Sequence, residues 1–162
     1  MGLFTRSAWG LLKCYCAFHV ISEYVAEPTF LEGPSMKPTI NKNHKIEVAV
    51  FEKISVRKER LKVGDVVTAK HPYYNGMRIC KRLMGMEGDR ILKTDPNTNK
   101  MEMVIVPKGH VWLEGDNADQ SKDSREYGPI PYALLRGRAL CKIWPLAGNK
   151  SFQMPSITAK VE

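Results

Sequence analysis

The first hydrophobic segment has the pattern of a helix with one polar stripe. Residues 8–26 read AWGLLKCYCAFHVISEYVA, a mostly apolar run without proline. At about 100° per residue, the polar side chains of this region fall within one arc, made of Lys13, His19, Glu23 and Glu27. A bilayer-spanning helix needs about 20 predominantly apolar residues, and this run reaches that length only with Lys13 and His19 inside it. We therefore predict a membrane-anchoring helix over residues 1–27, with an interfacial helix or a cleaved targeting peptide as alternatives.

From Pro28 onward, the pattern changes to short apolar segments typical of β-strands. They are rich in Val and Ile, alternate partly with polar residues, and are bounded by Gly, Pro, Asn and Asp. The segments with this pattern are HKIEVAVF, GDVVTAK, GMRICKRLMG, DRILKT, MEMVIVP and HVWLEG. The polar stretch TDPNTNK lies between DRILKT and MEMVIVP, so we predict a hairpin over residues 89–106.

No substantial helix is predicted after the first segment. Beyond residue 27, no stretch has a convincing run of apolar residues at helical spacing. ALLRGRAL, residues 133–140, is at best a short helix or turn interrupted by Gly137. Many short strands with polar turns are typical of a coiled antiparallel sheet or a barrel. We predict a mainly β domain over residues 28–150, followed by a loose tail over residues 151–162.

Composition narrows the range of partners and metals. With 162 residues, 43% of them hydrophobic, the chain can bury one sizeable core. A net charge of +8 suits an anionic partner such as nucleic acid or lipid, but the basic residues are scattered, and the longest cluster, RKERLK, contains an acid. The four cysteines have no spacing suited to zinc, so no structural metal is expected.

A basic β-barrel that binds nucleic acid without catalysis is one interpretation of this composition. Such a protein needs aromatic residues interleaved with basic ones on a sheet face. Only HPYYNGMRICKR comes near that pattern. This interpretation stays open as the alternative to an enzyme, although we expect no nucleic-acid partner.

The segment EGPSMKPTI, residues 32–40, contains a serine that the fold does not explain. The segment is too interrupted for a helix and too rich in proline for an inner strand. Pro34 and Pro38 restrict the backbone around Ser35, so its hydroxyl can be held in place at an exposed turn. HExxH and GxSxG motifs are absent, and each histidine after Pro38 lies in a turn or opens a strand. Ser35 is therefore either inert or paired with another base, and lysine is the known alternative.

The segment RICKRLMGMEGD contains the candidate base. Alternation along a strand places Ile79 and Lys81 on one face, and it places Cys80 and Arg82 on the other. An unperturbed lysine has a pKa near 10.4, but desolvation among apolar side chains disfavours the ammonium form and lowers the pKa. Lys81 is therefore a candidate general base, although a Lys-Arg pair in a basic protein is more often surface charge.

A third segment, GDNADQSKDSREYGPIP at residues 115–131, is dense in polar side chains. Three acids, an Asn, two serines and an Arg lie within about ten residues, and ordering them requires internal hydrogen bonds. Asp123 and Arg125 can form a charge-assisted pair. The segment is either a solvated turn or a rigid wall behind an active site.

Taken together and in this order, GPSMKPT, KRLMGMEGD and GDNADQSKDSR resemble the motifs of the type I signal peptidase family, serine endopeptidases with a Ser/Lys dyad. The resemblance covers about residues 30–145. The segments GHVWLEGDN, YGPIPYALLRGR and KIWPL, together with the short length, are similar to the mitochondrial branch of that family. The resemblance implies a signal peptidase fold and a membrane-bound serine endopeptidase that removes presequences or sorting signals from precursor proteins.

The resemblance also implies a setting for this activity. The protein would lie at the mitochondrial inner membrane, with its catalytic domain facing the intermembrane space. A related second catalytic subunit would form a heterodimer with it. Burial of the apolar N-terminal helix in membrane lipid would hold the domain where precursors emerge. The Ser/Lys chemistry implies no cofactor.

Carried over by position, the resemblance implies roles for individual residues. Ser35 would be the nucleophile and Lys81 its general base, and Ser121 matches a hydroxyl that hydrogen-bonds the lysine and fixes its position. Two ion pairs would brace the site as structural supports: Arg82 with Asp116, and Asp123 with Arg125. Gly33 stands where some members carry a serine hydroxyl that donates to the oxyanion, so this donor is missing here. The backbone N–H of Ser35 remains, and Gly33 lets a substrate backbone approach closely.

We expect an extended precursor peptide to bind by strand addition between the edges near residues 30–34 and 78–81. A self-cleaving regulator of the repressor type resembles the same Ser/Lys fold and is a second enzyme alternative. Against it, the helix is followed directly by Pro28 and the Ser35 segment, which leaves no room for a helix-turn-helix domain.

Overall fold

β-Strands are the main regular structure of the described chain after the N-terminal helix. The computed structural model describes residues 2–43, 45–94, 101–145 and 152. Its α-helices are α1 (Gly2–Tyr24), α2 (Ile54–Arg57) and α3 (Ser124–Tyr127), and short 3₁₀ helices lie at Ala118–Gln120 and Tyr132–Leu134. Its strands are β1 (Ala26–Glu32), β2 (Ile46–Glu52), β3 (Val66–Lys70), β4 (Arg78–Gly85), β5 (Arg90–Thr94), β6 (Met101–Ile105), β7 (His110–Glu114), β8 (Ile130–Pro131) and β9 (Leu135–Trp144).

The strands confirm the predicted mainly β fold. Seven of them form one curled antiparallel sheet in the order β1-β2-β9-β3-β4-β7-β8. Strands β5 and β6 pair with each other as the hairpin predicted around TDPNTNK. Residues 95–100 of that connection lie outside the described residues, as do His44 and the predicted tail apart from Phe152.

Strand β3 lies inside the sheet, and its Val66, Val67 and Ala69 are buried. Val67 and Ala69 belong to a core cluster that also contains Leu83. Val66 belongs to a second cluster, which holds Leu31, Met36, Ile40, Ala49 and Phe51. Two members of this second cluster, Met36 and Ile40, come from the segment that carries Ser35. Burial of these side chains therefore fixes that segment against the sheet.

Strand β9 corrects the prediction made for ALLRGRAL. Ala133 and Leu134 end a short 3₁₀ helix (Tyr132–Leu134), but residues 135–140 are the first part of a long strand between β2 and β3. Gly137 lets β2 approach closely, since a Cβ at this position would lie 3.0 Å from the Cβ of Phe51. Arg138 donates to the Glu52 carboxylate at 2.9 Å, so its charge is paired. The glycine and the arginines obscure the alternating pattern of a strand that cross-strand contacts stabilise.

Helix α1 ends at Tyr24, close to the predicted boundary, and β1 begins at Ala26. Large apolar side chains are exposed around it, among them Trp9, Leu11, Tyr15, Phe18 and Val20. Its C-terminal end is held by Lys53 and Arg57, which donate to the carbonyl oxygens of Ser22, Glu23 and Tyr24. Within the described residues, no helix is both long and apolar enough to cross a bilayer.

Candidate active site

Ser35 lies in a turn that directly follows β1 and is fixed on several sides. Within the turn, the Lys37 N–H donates to the Pro34 carbonyl at 3.1 Å. From the loop after β7, the Asn117 side chain donates to the same carbonyl at 3.1 Å, and the Asn117 N–H donates to the Ser35 carbonyl at 3.0 Å. Asn41 donates to the Gly33 carbonyl at 3.1 Å. The backbone on both sides of Ser35 is therefore held in one geometry.

Lys81 lies on β4 between the side chains of Ile79 and Leu83, which pack on the first core cluster. Its neighbour Cys80 packs on the second cluster, as the predicted alternation requires. Lys81 is only 4% exposed. A lysine this deeply buried needs a specific polar partner.

That partner is Ser121, to which Lys81 Nζ donates a hydrogen bond of 2.9 Å. Burial lowers the pKa of Lys81, the Asp123 carboxylate opposes this shift, and Arg125 adds to it. The neutral amine is therefore more accessible to Lys81 than to an exposed lysine. Burial also raises the pKa of the adjacent Cys80 thiol to about 12, which disfavours its thiolate form.

Asp123 sets the direction of the hydrogen bonds around Lys81. Burial by itself would raise the pKa of Asp123, but hydrogen bonds from Arg125, the Gly115 N–H and Ser121 outweigh it and lower that pKa. The ionised carboxylate only accepts, so the Ser121 hydroxyl donates its one proton to Asp123 over 2.6 Å. Ser121 must then accept from Lys81. This arrangement leaves the lone pair of a neutral Lys81 amine free to point elsewhere.

Both predicted ion pairs are present in the structure. Arg125 binds the Asp123 carboxylate with two hydrogen bonds, of 2.9 and 2.6 Å. Arg82 binds Asp116 in the same bidentate way, at 2.8 and 2.6 Å, and the side chains of both residues are nearly fully buried. Bidentate pairs of this kind are geometrically specific. The Arg82–Asp116 pair connects β4 to the loop after β7, and the Asp123–Arg125 pair connects the end of this loop to α3.

The Arg82 pair includes residues that the sequence did not single out. The Thr39 hydroxyl donates to the Asp116 carboxylate, and Arg82 also donates to the Gly64 carbonyl at 2.7 Å. Arg82 further donates to the Phe152 carbonyl at 3.2 Å. Thr39 belongs to the Ser35 segment, so this buried network ties that segment to β4 and to the loop after β7.

Gly115 is the contact point between the Ser35 turn and the loop after β7. A Cβ on this residue would lie 2.2 Å from Ser121 Oγ and 2.5 Å from the Ser35 carbonyl oxygen. Any side chain at this position would therefore separate the two segments. Gly115, Asn117, Thr39 and Asn41 were missed as site residues, because each acts through a contact that is distant in sequence.

A cavity of about 160 Å³ brings Ser35 and Lys81 together. Its walls include the apolar side chains of Met36, Ile40 and Ile79. No hydrogen bond within the described residues engages the Ser35 N–H, so this donor is available to a ligand. Gly33 also lines the cavity and has φ of +101°, a conformation that residues with a Cβ rarely adopt. Its backbone conformation thus explains why glycine suits this position.

Two strand edges border this cavity. Strand β1 pairs only with β2 in the described part of the sheet, and its last residues reach the cavity wall. Strand β4 pairs with β7 through Arg82, Leu83 and Gly85, and in the part of the chain that the structure describes its preceding residues 78–81 have no partner strand on that side. Unpaired edges of this kind offer backbone N–H and C=O groups to an extended peptide.

Comparison with known proteins matches the whole of this site. A family model described as signal peptidase, peptidase S26, matches residues 6–97 and 92–144. The mitochondrial inner membrane protease subunit 1 of Homo sapiens is 47% identical over 132 residues, which cover 82% of this chain and 78% of that protein. The subunit 1 of Xenopus tropicalis is 45% identical over 131 residues, covering 81% and 77%. The mitochondrial inner membrane protease subunit 2 of Danio rerio is 39% identical over 124 residues, covering 75% and 64%.

Proposed function

Because the chain belongs to the signal peptidase family, peptidase S26, we propose that it is a serine endopeptidase that removes presequences or sorting signals from precursor proteins at the mitochondrial inner membrane. The observation that carries this proposal is the buried Lys81. Lys81 lines the same cavity as Ser35, burial lowers its pKa, and a hydrogen bond to Ser121 orients its amine. A role in stability alone would favour a direct ion pair between a buried lysine and a carboxylate. Here the Asp123 carboxylate instead accepts from Ser121, which in turn accepts from Lys81.

The reaction uses Lys81 as base and then as acid. Neutral Lys81 takes the hydroxyl proton of Ser35, and Ser35 Oγ attacks the carbonyl carbon of the scissile bond. The Ser35 N–H donates to the oxyanion that forms. Collapse breaks the C–N bond, Lys81 returns the proton to the leaving amine, and the acyl group stays on Ser35. A water that loses its proton to Lys81 then hydrolyses this ester, and Ser35 regains its proton.

The precursor binds as an extended strand between the two edges that border the cavity. Residues 78–81 of β4 and the end of β1 supply backbone groups to it, and the Met36 and Ile40 side chains contact the residue before the cut. Gly33 lets the peptide backbone come close to Ser35. This placement puts the scissile carbonyl next to the Ser35 hydroxyl and N–H.

A related second catalytic subunit is the proposed partner. Relatives of this chain are named as subunit 1 and as subunit 2 of the mitochondrial inner membrane protease, which supports a complex of two related chains. The exposed apolar side chains of α1 support attachment to membrane lipid. We propose that the catalytic domain faces the intermembrane space, as the resemblance to the mitochondrial branch of the family implies.

The test is cleavage of a membrane-sorted precursor by the purified full chain, with and without the second subunit. Ser35→Ala and Lys81→Met should each lower kcat by at least about 10⁴-fold, and Lys81→Arg should be equally inactive because a guanidinium does not release a proton at this pH. The matched control is Lys122→Met, since Lys122 is exposed in the same loop as Ser121. Cleavage that survives Ser35→Ala or Lys81→Met in a folded protein contradicts the proposed dyad.

A further inference from the structure

A second cavity, of about 310 Å³, lies where α1 joins the sheet; it shares Arg78 with the Ser35 cavity, and its other lining residues are different. Five cationic side chains from different parts of the chain line it: Lys53, Arg57, Lys70, Arg78 and Arg136. Two acidic residues, Glu23 and Glu27, line it as well. The proposed Ser/Lys reaction does not use the charges of this cavity, although the backbone of Arg78 belongs to the strand edge proposed to bind the precursor.

Part of this charge is used to hold the chain together. Glu27 forms ion pairs with Lys53, at 2.9 Å, and with Arg78, at 2.5 Å. Lys53 also donates to the Ser22 carbonyl, and Arg57 donates to the carbonyls of Glu23 and Tyr24. Cations at the C-terminal end of a helix are favourable because the free carbonyls there carry partial negative charge. These contacts explain Lys53, Arg57 and Glu27.

The charges of Lys70 and Arg136 have no such explanation. Lys70 and Arg78 are direct cross-strand neighbours in the β3–β4 ladder, and like charges in that position repel each other. In the described chain, Lys70 and Arg136 have no ion-pair partner, and the buried Nε of Arg136 has no hydrogen-bond acceptor. A buried donor without an acceptor destabilises the folded state. An anion in the cavity would relieve both features.

We propose that this cavity binds the phosphate of an anionic phospholipid headgroup. Guanidinium and ammonium groups that converge on a concave site match the oxygens of a phosphate. The lipid source follows from position, because the cavity adjoins the end of α1, whose apolar side chains such as Trp9 and Phe18 are exposed. Apolar insertion and a cationic headgroup site together give the two attachments that stable membrane binding needs. The inference rests on the membrane location in the proposed function, but not on the Ser/Lys chemistry.

The experiment is flotation of the full chain with phosphatidylcholine vesicles, with and without an anionic phospholipid such as cardiolipin. The cavity variant is Lys70→Gln combined with Arg136→Gln, and the matched control is Lys62→Gln combined with Lys108→Gln, two exposed lysines outside the cavity. Each cation close to an anionic surface contributes roughly fivefold to binding. We expect the cavity variant to bind anionic vesicles about 20-fold more weakly, and the control to change by less than about threefold.

Thermal unfolding separates a ligand site from a structural cluster. Because Lys70 and Arg136 lack partners, the cavity variant without lipid should keep or raise its Tm. If the cavity variant and the control variant bind anionic vesicles equally weakly, the attraction comes from diffuse surface charge, and the proposed cavity site is overturned. Stabilisation of the native chain by inorganic phosphate, with unchanged flotation of the cavity variant, would assign the cavity to a soluble anion and overturn the lipid.

Precursor cleavage in detergent keeps the two proposals distinguishable. Neither Lys70 nor Arg136 takes part in the proposed dyad, so the cavity variant should cleave a detergent-solubilised precursor at the native rate. If the native chain cleaves nothing but flotation depends on the cavity as expected, the peptidase proposal fails and the lipid site stands. If the native chain cleaves the precursor and the cavity variant floats with anionic vesicles as well as the native chain does, only the lipid proposal fails.

Discussion

Lys81 shows how a single residue burdens the folded state. The side chain is 4% exposed, and burial lowers its pKa. A base with a lowered pKa binds fewer protons in the folded protein than in the unfolded chain, so folding becomes more favourable as pH rises. The destabilisation of the folded state is fully present below the pKa of Lys81 in the folded protein. It disappears above the pKa of this lysine in the unfolded chain, near 10.4. Function and stability therefore oppose each other at this position.

Replacing this lysine should stabilise the protein. We expect Lys81→Met to unfold at higher denaturant concentration than the native chain at pH 7, because an apolar side chain of similar length removes the desolvated charge. The difference should shrink as pH is raised toward about 10.4. Chemical denaturation at several pH values measures it. Lys122→Met, at an exposed position, should stay within about 0.5 kcal/mol of the native chain throughout. A Lys81→Met protein that is less stable at pH 7 would contradict the argument.

At the scale of elements, the site is assembled from three segments that belong to different elements of the fold. The turn after β1 carries Ser35, β4 carries Lys81, and the loop after β7 carries Ser121. Gly115 and Asn117 hold the loop against the turn, and the buried Arg82–Asp116 pair holds it against β4. Because each of these contacts joins elements that are distant in sequence, a substitution that breaks one contact should displace the residues of the site that it holds.

Gly115→Ala should break the closest of these junctions. The added Cβ would lie 2.5 Å from a backbone oxygen of the Ser35 turn, which cannot move without disturbing the hydrogen bonds around it. We expect a loss of at least about 2 kcal/mol in the free energy of unfolding, and a fall in kcat of about 100-fold or more from misplacement of the reacting groups.

Gly10→Ala is the comparison for this change, since a Cβ there meets nothing within 4 Å. It should leave cleavage unchanged and favour the helix slightly. Denaturation and precursor cleavage measure both variants. Native-like stability and activity in Gly115→Ala would show that the two segments do not need this close approach.

On the scale of the whole molecule, the sheet and α1 are built on different principles. Both core clusters consist of residues that follow α1 in the chain. The helix instead exposes large apolar side chains and touches the domain chiefly at its C-terminal end. The catalytic domain therefore has its own source of stability, and α1 has an apolar surface suited to lipid.

Removing residues 1–21 should separate these two parts. The shortened chain keeps the Ser22, Glu23 and Tyr24 carbonyls that bind Lys53 and Arg57. We expect its Tm to stay within about 4 °C of the native value, which corresponds to about 1 kcal/mol for a domain of this size. Flotation with neutral vesicles should be lost. A fall in Tm of about 10 °C or more would show instead that α1 belongs to the cooperative unit of the domain.

Local pattern determined much of this protein. The run of apolar residues before Tyr24 predicted α1, and the short Val- and Ile-rich segments predicted most strands, because helix and strand periodicity depend only on near neighbours. Residue types and their positions made Ser35 and Lys81 candidates and suggested the Asp123–Arg125 pair. The resemblance of the three ordered motifs to the signal peptidase family implied Ser121 and the Arg82–Asp116 pair.

Only the tertiary structure decided where these segments meet. It made residues 135–140 part of a central strand, since Gly137 and Arg138 make contacts with β2 that the local pattern does not contain. It gave Gly115 and Asn117 their places beside Ser35, and it gathered the cations at the end of α1 into one cavity. Contacts between distant segments depend on how a whole sheet packs, so burial, pKa shifts and cavities follow from the fold rather than from spacing in the chain.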